Sequence, residues 1–321
     1  MPETMPNGRP WPRISVVTPT YNQGQFIEET IRSILLQGYP NLEYIIMDGG
    51  STDNTVEIIK KYEPWLTYWA SERDRGQSHA INKGWAMSTG EIIAYFNSDD
   101  MYSPGAFEKA ALTLSGDPSL SAVVGRINYV DISSRQLSTS VLPYAPVDGP
   151  CDLTLFDPDL WFLPQPGAFW ARAALEKAGL YVRENLHYTM DRELFYRTCK
   201  VGRIAPFDEA LASFRNHGQN KSIALVTEMY QEDAVALKYM DDGVFLHRLI
   251  RWRNARWWRA RGYYFLAHQN NNGNGKKTVG YLLLAAFYRP AHLWRRKFYR
   301  KLLLSLLPVK LLRMFQKKVA V

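Results

Sequence analysis

The sequence predicts an α/β fold, an open sheet flanked by helices, followed by a basic helical extension. Three observations predict it. Short β-branched runs alternate with helical periodicities over residues 14–100, which implies right-handed βαβ units and a parallel sheet. Each of those runs ends in a polar loop, and in such sheets ligands bind outside the carboxyl ends of the strands. The charge is also divided: the net +8 hides a tail, residues 243–321, with 18 Lys and Arg and no Asp or Glu. Residues 1–242 are left with 21 basic against 31 acidic side chains. An acidic body and a basic tail do different work.

Composition sets the outer limits. A chain of 321 residues, 46% hydrophobic and 22% charged, buries one sizeable core plus a smaller second unit. Cys151 and Cys199 have neither metal-site spacing nor a disulfide framework, and read as reduced thiols of a cytosolic protein. Residues 1–12 are Pro-rich and have no apolar h-region, which predicts no signal peptide and a disordered lead. No apolar run reaches the ~18 residues of a conventional membrane span.

The elements follow in order. Ile14 to Thr20 is a short β-branched strand, and Pro19-Thr20-Tyr21-Asn22-Gln23-Gly24 is its turn. Phe26, Ile27, Thr30, Ile31, Ile34 and Leu35 have helical spacing, and Gly38 and Pro40 end that helix. Leu42 to Met47 is the second strand, followed by Asp48-Gly49-Gly50-Ser51-Thr52-Asp53 and a helix containing Val56, Ile58 and Ile59. The third strand is Leu66 to Ala70, with Glu72, Arg73, Asp74 and Arg75 in the loop beyond it. A helix from Ser78 to Met87 leads into Glu91-Ile92-Ile93-Ala94-Tyr95-Phe96-Asn97-Ser98-Asp99-Asp100, a buried strand ending in two carboxylates. Beyond this the pattern changes to a helix at 104–114, strands at 122–130 and 136–141, and an irregular stretch over 143–164. Order resumes at Pro166-Gly167-Ala168-Phe169-Trp170, with helices at 172–178 and 189–200 and a strand over 204–214. Residues 270–275 read as a flexible linker.

The candidate chemistry lies in the loops. Two adjacent carboxylates repel unless donors or a cation neutralise them. Asp99 and Asp100 therefore read either as ordinary turn residues or as a site for Mg²⁺ or Mn²⁺ with a diphosphate. Asp48 either accepts from a base or ribose or caps the following helix. Arg73 and Arg75 face phosphates or solvent. Asp191 and Glu193 fall in the first turn of a predicted helix with Thr189 as N-cap, where carboxylates complement the helix dipole. Trp161, Phe162, Phe169 and Trp170 around Gln165 form either a sugar platform or core.

The segments ISVVTPTYNQ, MDGGSTDNT, SERDRGQSHAINKG, STGEIIAYFNSDD, QPGAFW, HYTMDREL and FRNHGQNKS appear in the order and at the spacing of one family. Across residues 13–222 the chain resembles the inverting glycosyltransferases of family 2, of the bacterial surface-polysaccharide type. The resemblance implies a GT-A fold, a Rossmann-like nucleotide-binding mixed sheet flanked by helices, over residues 13–225, with a helical basic region over 226–321. It implies that Thr18, Pro19 and Tyr21 line the base pocket, that Asp48 binds the base, and that Asp74 and Arg75 lie near the nucleotide. Asp99 then binds the ribose or sugar, Asp100 holds Mn²⁺ or Mg²⁺ across the diphosphate, His217 approaches the metal or diphosphate, and Asp191 is the catalytic base. Met190 stands where the family often has an acidic residue before that base, and Gly49 where many members have a second Asp.

The implied activity is transfer of a hexose-like sugar, with inversion, from a nucleotide-diphosphate donor such as a UDP-sugar. The acceptor is a hydroxyl of a glycan or lipid-linked glycan, in polysaccharide biosynthesis. The alternatives are a nucleotidyltransferase, although PTYNQGQ lacks a basic pyrophosphate loop, and a non-catalytic nucleotide-sugar or glycan-binding protein. In the tail, Trp294, Phe298, Leu302 and Leu306 share one side of a helical wheel, with Arg296, Lys297, Arg300 and Lys301 opposite. That acid-free, aromatic and cationic composition predicts a peripheral anchor on the anionic cytoplasmic face of the inner membrane, in preference to nucleic-acid binding or to a packed helical or oligomerisation segment.

Overall fold

The computed structural model describes residues 1–140, 163–218, 220–221, 225–239, 245–269 and 275–289. Expectations placed on 141–162, Ser222, the 270–274 linker and the 293–307 helix lie outside these residues. The chain divides into two compact units, Met1–Asn220 and Lys221–Val321.

In the first unit, the nine strands among the described residues form one sheet. They are β1 Ile14–Thr20, β2 Leu42–Asp48, β3 Tyr68–Ser71, β4 Ile92–Tyr95, β5 Met101–Tyr102, β6 Leu120–Val130, β7 Gln136–Thr139, β8 Ala168–Ala171 and β9 Arg203–Arg215. The order is β3-β2-β1-β4-β8-β6-β9-β5, with β7 paired to β6. β3, β2, β1 and β4 are mutually parallel, joined by α1 Ile27–Leu35, α2 Thr55–Tyr62 and α3 Gln77–Met87. The parallel arrangement expected over residues 14–100 is present among these four strands. β8 runs antiparallel to both β4 and β6, β5 is antiparallel to β9, and β6 and β9 are parallel, so the whole sheet is mixed. The remaining helices are α4 Ala106–Gly116, α5 Arg172–Ala178 and α6 Met190–Cys199.

All seven residues of β1 are buried because helices cover both of its faces. Ile14 and Val16 join the core with Ile27, Ile31 and Ile34 of α1 and Phe107 of α4. On the other face α3 presses close enough that a Cβ at Gly84 would lie 2.4 Å from Val17 Cγ1. Glycine is what admits that approach.

Where a disordered lead was expected, residues 1–12 fold back: Met5 and Trp11 are buried in the core, Thr4 bridges Pro10, and Trp11 Nε1 donates to the Pro2 carbonyl at 2.9 Å. Two large apolar side chains within a polar, proline-rich stretch are enough to hold it down.

At the end of the sheet away from the strand-end loops, Glu43 ties β2 to β1 and β4. It accepts from Ser15 Oγ, from Thr89 N at 2.7 Å and from Thr89 Oγ1 at 2.8 Å. Burial acts to raise its pKa, but these hydrogen bonds outweigh it and hold the carboxyl below its ordinary value. A depressed folded-state pKa adds stability that is complete above the unfolded value and fades as pH falls through the folded one. Glu43→Gln is therefore expected to unfold at lower urea than the parent at pH 7, with the gap narrowing below about pH 4.3. A gap that does not change with pH would mean that the lost hydrogen bonds matter and the charge does not.

The second unit contains α7 Val226–Ala236, α8 Phe245–Gln269 and α9 Gly275–Tyr288. Trp258 and Ala260 of α8 are buried, as are Leu282 and Ala285 of α9. No helix among the described residues is long and apolar enough to cross a membrane.

Candidate functional site

The loops beyond β1, β2, β3 and β4 are laced together. Gly49 N donates to the Thr20 carbonyl at 2.9 Å, Asn22 N to Ser51 Oγ at 2.7 Å, and Gly24 N to Asp53 Oδ2 at 2.9 Å. Asn22 takes a left-handed conformation, φ 51°, and its Oδ1 accepts from Thr52 N at 2.8 Å. The β2 loop is joined to the β3 loop by Glu72 N donating to the Asp48 carbonyl at 3.0 Å. The start of α3 reaches the β4 loop through Gln77 Nε2 and Asn97 Oδ1, 2.7 Å apart. The convergence expected of four strand ends is thus built from specific hydrogen bonds.

The base-pocket candidates occupy different depths. Tyr21 is exposed, whereas Thr18 is fully buried with its Oγ1 3.3 Å from Tyr44 Oη, and Pro19 is buried in register with Met47. Asp48 is buried, and its carboxylate accepts from Gly50 N, Ser51 N, Ser51 Oγ and Ser71 Oγ, at 3.1, 2.9, 2.5 and 2.6 Å. This side chain organises its own loop and that of β3. Asp74 accepts from Gly76 N at 2.7 Å, and a Cβ on Gly49 would lie 2.9 Å from its Oδ2. The missing side chain at Gly49 is thus what lets the Asp74 carboxylate lie over the β2 loop. Arg75 turns to Glu184, with Nη2 at 2.8 Å from the carboxylate, a solvent-screened pair.

The β4 loop meets the end of β9. His217 Nε2 lies 3.1 Å from Asp99 Oδ2, and Asn220 Nδ2 is 3.4 Å from the same oxygen. The His217 ring stacks on Phe26 at 4.7 Å. Asp100 is fully buried beneath them. Its Oδ1 accepts from Arg215 N at 3.1 Å, and its carbonyl accepts from Thr30 Oγ1 at 2.7 Å. Burial first, and the Asp99 charge second, push the Asp100 carboxyl well above the usual range, while the Arg215 N–H and charge pull it back.

Arg215 is the residue that sequence reasoning missed. Its buried guanidinium donates to the Asp99 carbonyl at 3.1 Å, the Ile132 carbonyl at 3.1 Å and Ser134 Oγ at 2.9 Å, and pairs with Glu29 of α1. It also lies 5.1 Å from the Phe26 ring centre. The available signal was an arginine closing a long strand inside Phe214-Arg215-Asn216-His217, but a terminal arginine reads as exposed. Thr20 was also missed; its Oγ1 is buried at the end of β1 without a hydrogen-bond partner.

Asp191 stands in the first turn of α6, and its Oδ1 accepts from Arg192 N at 2.8 Å. Thr189 holds the N-cap position without a side-chain capping bond. The Asp191 charge reaches Tyr95, the last residue of β4: burial, and then Asp191, raise the Tyr95 phenol well above its ordinary pKa. Glu193 has a different role. It is fully buried, with Oε1 2.8 Å from Arg183 Nε and 2.9 Å from Arg197 Nε, and it anchors α6 to the loop before it. Phe169 and Trp170 are core, Trp170 stacking on Tyr95 at 6.0 Å, so neither offers a sugar platform; Trp161 and Phe162 lie outside the described residues.

The donor set suits a hard cation in part. Asp100 Oδ2 is a buried acceptor without a hydrogen-bond partner, beside the carboxylate of Asp99. Among the described residues no three His, Cys, Asp or Glu side chains form a closed metal cage. Such a set fits Mg²⁺ or Mn²⁺ only with further oxygens from a ligand, and this is how those ions commonly bind beside phosphates.

Sheet order, flanking helices and strand-end crevice together define the GT-A class of glycosyltransferase fold. The crystal structure of S. aureus TarS 1–349 in complex with UDP-GlcNAc shares it, with a TM-score of 0.64 and 16% identity over 95% of this chain and 92% of that one. So does the mannosyltransferase PcManGT from Pyrobaculum calidifontis in complex with GDP-Man and Mn²⁺, with a TM-score of 0.57 and 19% identity over 92% of this chain and 89% of that one. Residues 15–165 match the family described as Glycosyl transferase family 2. An uncharacterized glycosyltransferase of Nostoc sp. is 28% identical over 232 residues, 69% of this chain and 70% of the relative. The putative teichuronic acid biosynthesis glycosyltransferase TuaG of Bacillus subtilis is 37% identical over 103 residues, 30% of this chain and 40% of the relative. The match to an uncharacterized Mycobacterium tuberculosis glycosyltransferase, 34% identical, spans 44% of that protein. These matches support glycosyltransferase function for the chain.

Proposed function

We propose that this protein transfers a sugar from a nucleotide-diphosphate donor, of the UDP-sugar type, to a hydroxyl of a glycan or lipid-linked glycan, with inversion, in surface polysaccharide biosynthesis. The observation that carries the reading is the Asp99–His217 pair beside the buried Asp100 in the loop beyond β4, with the charge of Asp191 acting on Tyr95, the last residue of that strand. A TarS complex with UDP-GlcNAc and a PcManGT complex with GDP-Man and Mn²⁺ support nucleotide-sugar and divalent-metal use at this kind of crevice.

In this reading the exposed ring of Tyr21 and the carboxylate of Asp74 flank the base, and the buried Asp48 holds their loops in place. Asp100 and His217, with oxygens of the donor's diphosphate, would hold Mn²⁺ or Mg²⁺, which would supply positive charge to the leaving group, and Asp99 would bind the ribose or sugar. Asp191 takes the proton of the acceptor hydroxyl, and Arg215 fixes the carboxylate loop from below. The basic second unit seats the enzyme on the anionic cytoplasmic face of the inner membrane.

Binding is testable without turnover. A ligand at 100 times its Kd stabilises the folded state by about 2.7 kcal/mol. A screen of UDP- and GDP-sugars is therefore expected to raise Tm, more so with Mn²⁺, and Asp100→Asn is expected to abolish the Mn²⁺-dependent part. No shift from any nucleotide sugar, with or without metal, would overturn the proposal.

A further inference from the structure

The second unit carries an apolar face that its own described helices leave uncovered. Thr278, Leu282, Ala285 and Ala286 form the buried side of α9, and Leu282 and Ala286 pack with Ala267 of α8. On the opposite side of α9, Leu283, Leu284 and Phe287 are 57%, 40% and 66% exposed, and Trp252 of α8 is 62% exposed. The helices share this patch: the Arg256 guanidinium lies 5.0 Å from the Trp252 ring and 5.5 Å from the Phe287 ring, and Nη2 donates to the Phe287 carbonyl at 2.7 Å. Arg253 and Lys277 are exposed on the same two helices.

We infer that Trp252, Leu283, Leu284 and Phe287 are the surface that enters an anionic lipid bilayer, lying at headgroup depth with Arg253, Arg256 and Lys277 meeting the lipid phosphates. The inference rests on the membrane seating proposed above and assigns it to a specific face. Charge selects the occupant. Residues 243–321 contain 18 Lys and Arg and no acidic residue, so a second copy would bring like charge against like. Nucleic acid would satisfy the cations but offers nothing to exposed Leu283 and Leu284. An anionic bilayer interface supplies both an apolar layer and negative charge, and it is the natural medium for a tryptophan and an arginine side by side. No helix among the described residues is long and apolar enough to cross a membrane, and the inferred seat lies along the surface.

Flotation of the full chain with phosphatidylglycerol–phosphatidylcholine vesicles tests this. The parent is expected to float with these vesicles and not with pure phosphatidylcholine. The triple variant Leu283→Gln, Leu284→Gln, Phe287→Gln is expected to partition at least about tenfold less. Trp252→Ala, made on the other helix, is expected to show a smaller loss in the same direction, and matching Tm values report that both variants are folded. If the parent floats and the triple variant floats equally well, this face is overturned while membrane seating stands. A parent that ignores anionic vesicles overturns both. A parent that is dimeric in solution and becomes monomeric in the triple variant overturns the inference in favour of self-association.

Discussion

Asp191→Asn is expected to lower kcat about 10²–10⁴-fold, the ordinary contribution of a positioned general base, with little change in donor KM. Asparagine keeps the shape and the acceptor oxygen that takes the Arg192 N–H at 2.8 Å, but it cannot receive a proton. The carboxylate lies close enough to the end of β4 for its charge to act on Tyr95, and the Asp99 loop starts just beyond that residue. The competing account makes Asp191 a complement to the α6 dipole, worth about 0.3–1 kcal/mol of stability. The two accounts differ in what they move. A dipole role lowers Tm slightly and leaves turnover alone, whereas a base role lowers turnover and leaves nucleotide-sugar binding intact. A variant with parental kcat would leave only the dipole role.

Arg215→Met is expected to cost about 3–5 kcal/mol of folding stability, the range for removing one partner of a buried charge pair. That is a large part of the 5–15 kcal/mol that usually separates folded from unfolded states. The substitution orphans the Asp99 and Ile132 carbonyls, leaves Ser134 Oγ its bond to Glu29, and removes the cation beside fully buried Asp100. Glu29, half in solvent, contributes little to the total. Arg215→Lys restores the charge without the planar fork, and is expected to recover only part of the loss. Urea unfolding measures both variants; a loss below about 1 kcal/mol for Arg215→Met would place the side chain in the class of surface pairs.

These two residues illustrate what the sequence made legible. β4 was readable because a strand covered on both faces is apolar without interruption, as in Ile92-Ile93-Ala94-Tyr95, and β1 and β2 were readable from their short β-branched and apolar runs. In the mixed half the strands β6, β7 and β9 were readable, but their order in the sheet was not. β5 has two residues, too few for any periodicity, and the antiparallel insertion of β8 between β4 and β6 depends on contacts 44 or more residues apart in the chain. Asp99, Asp100 and His217 were identifiable as polar residues at strand ends, and their resemblance to a known motif sharpened the reading. Their relative depth was not identifiable, because nothing local says that Asp99 faces His217 while Asp100 lies buried over Arg215. Arg215 itself was hidden by a general expectation, since arginine is seldom buried without a compensating network, and that network comes from three separate segments. Glu193 shows the converse: a carboxylate two residues from Asp191 that sequence position alone could not separate from it, and which the fold commits to Arg183 and Arg197.

The most direct test of the central claim is the configuration of the product. With the donor that gives the largest thermal shift, proton NMR during early turnover, whether to an acceptor hydroxyl or slowly to water, reports the anomeric centre before it equilibrates. A single displacement driven by Asp191 from one side of the crevice gives a product of opposite configuration to the donor, and Asp191→Asn slows its appearance. A product that retains the donor configuration would contradict the account.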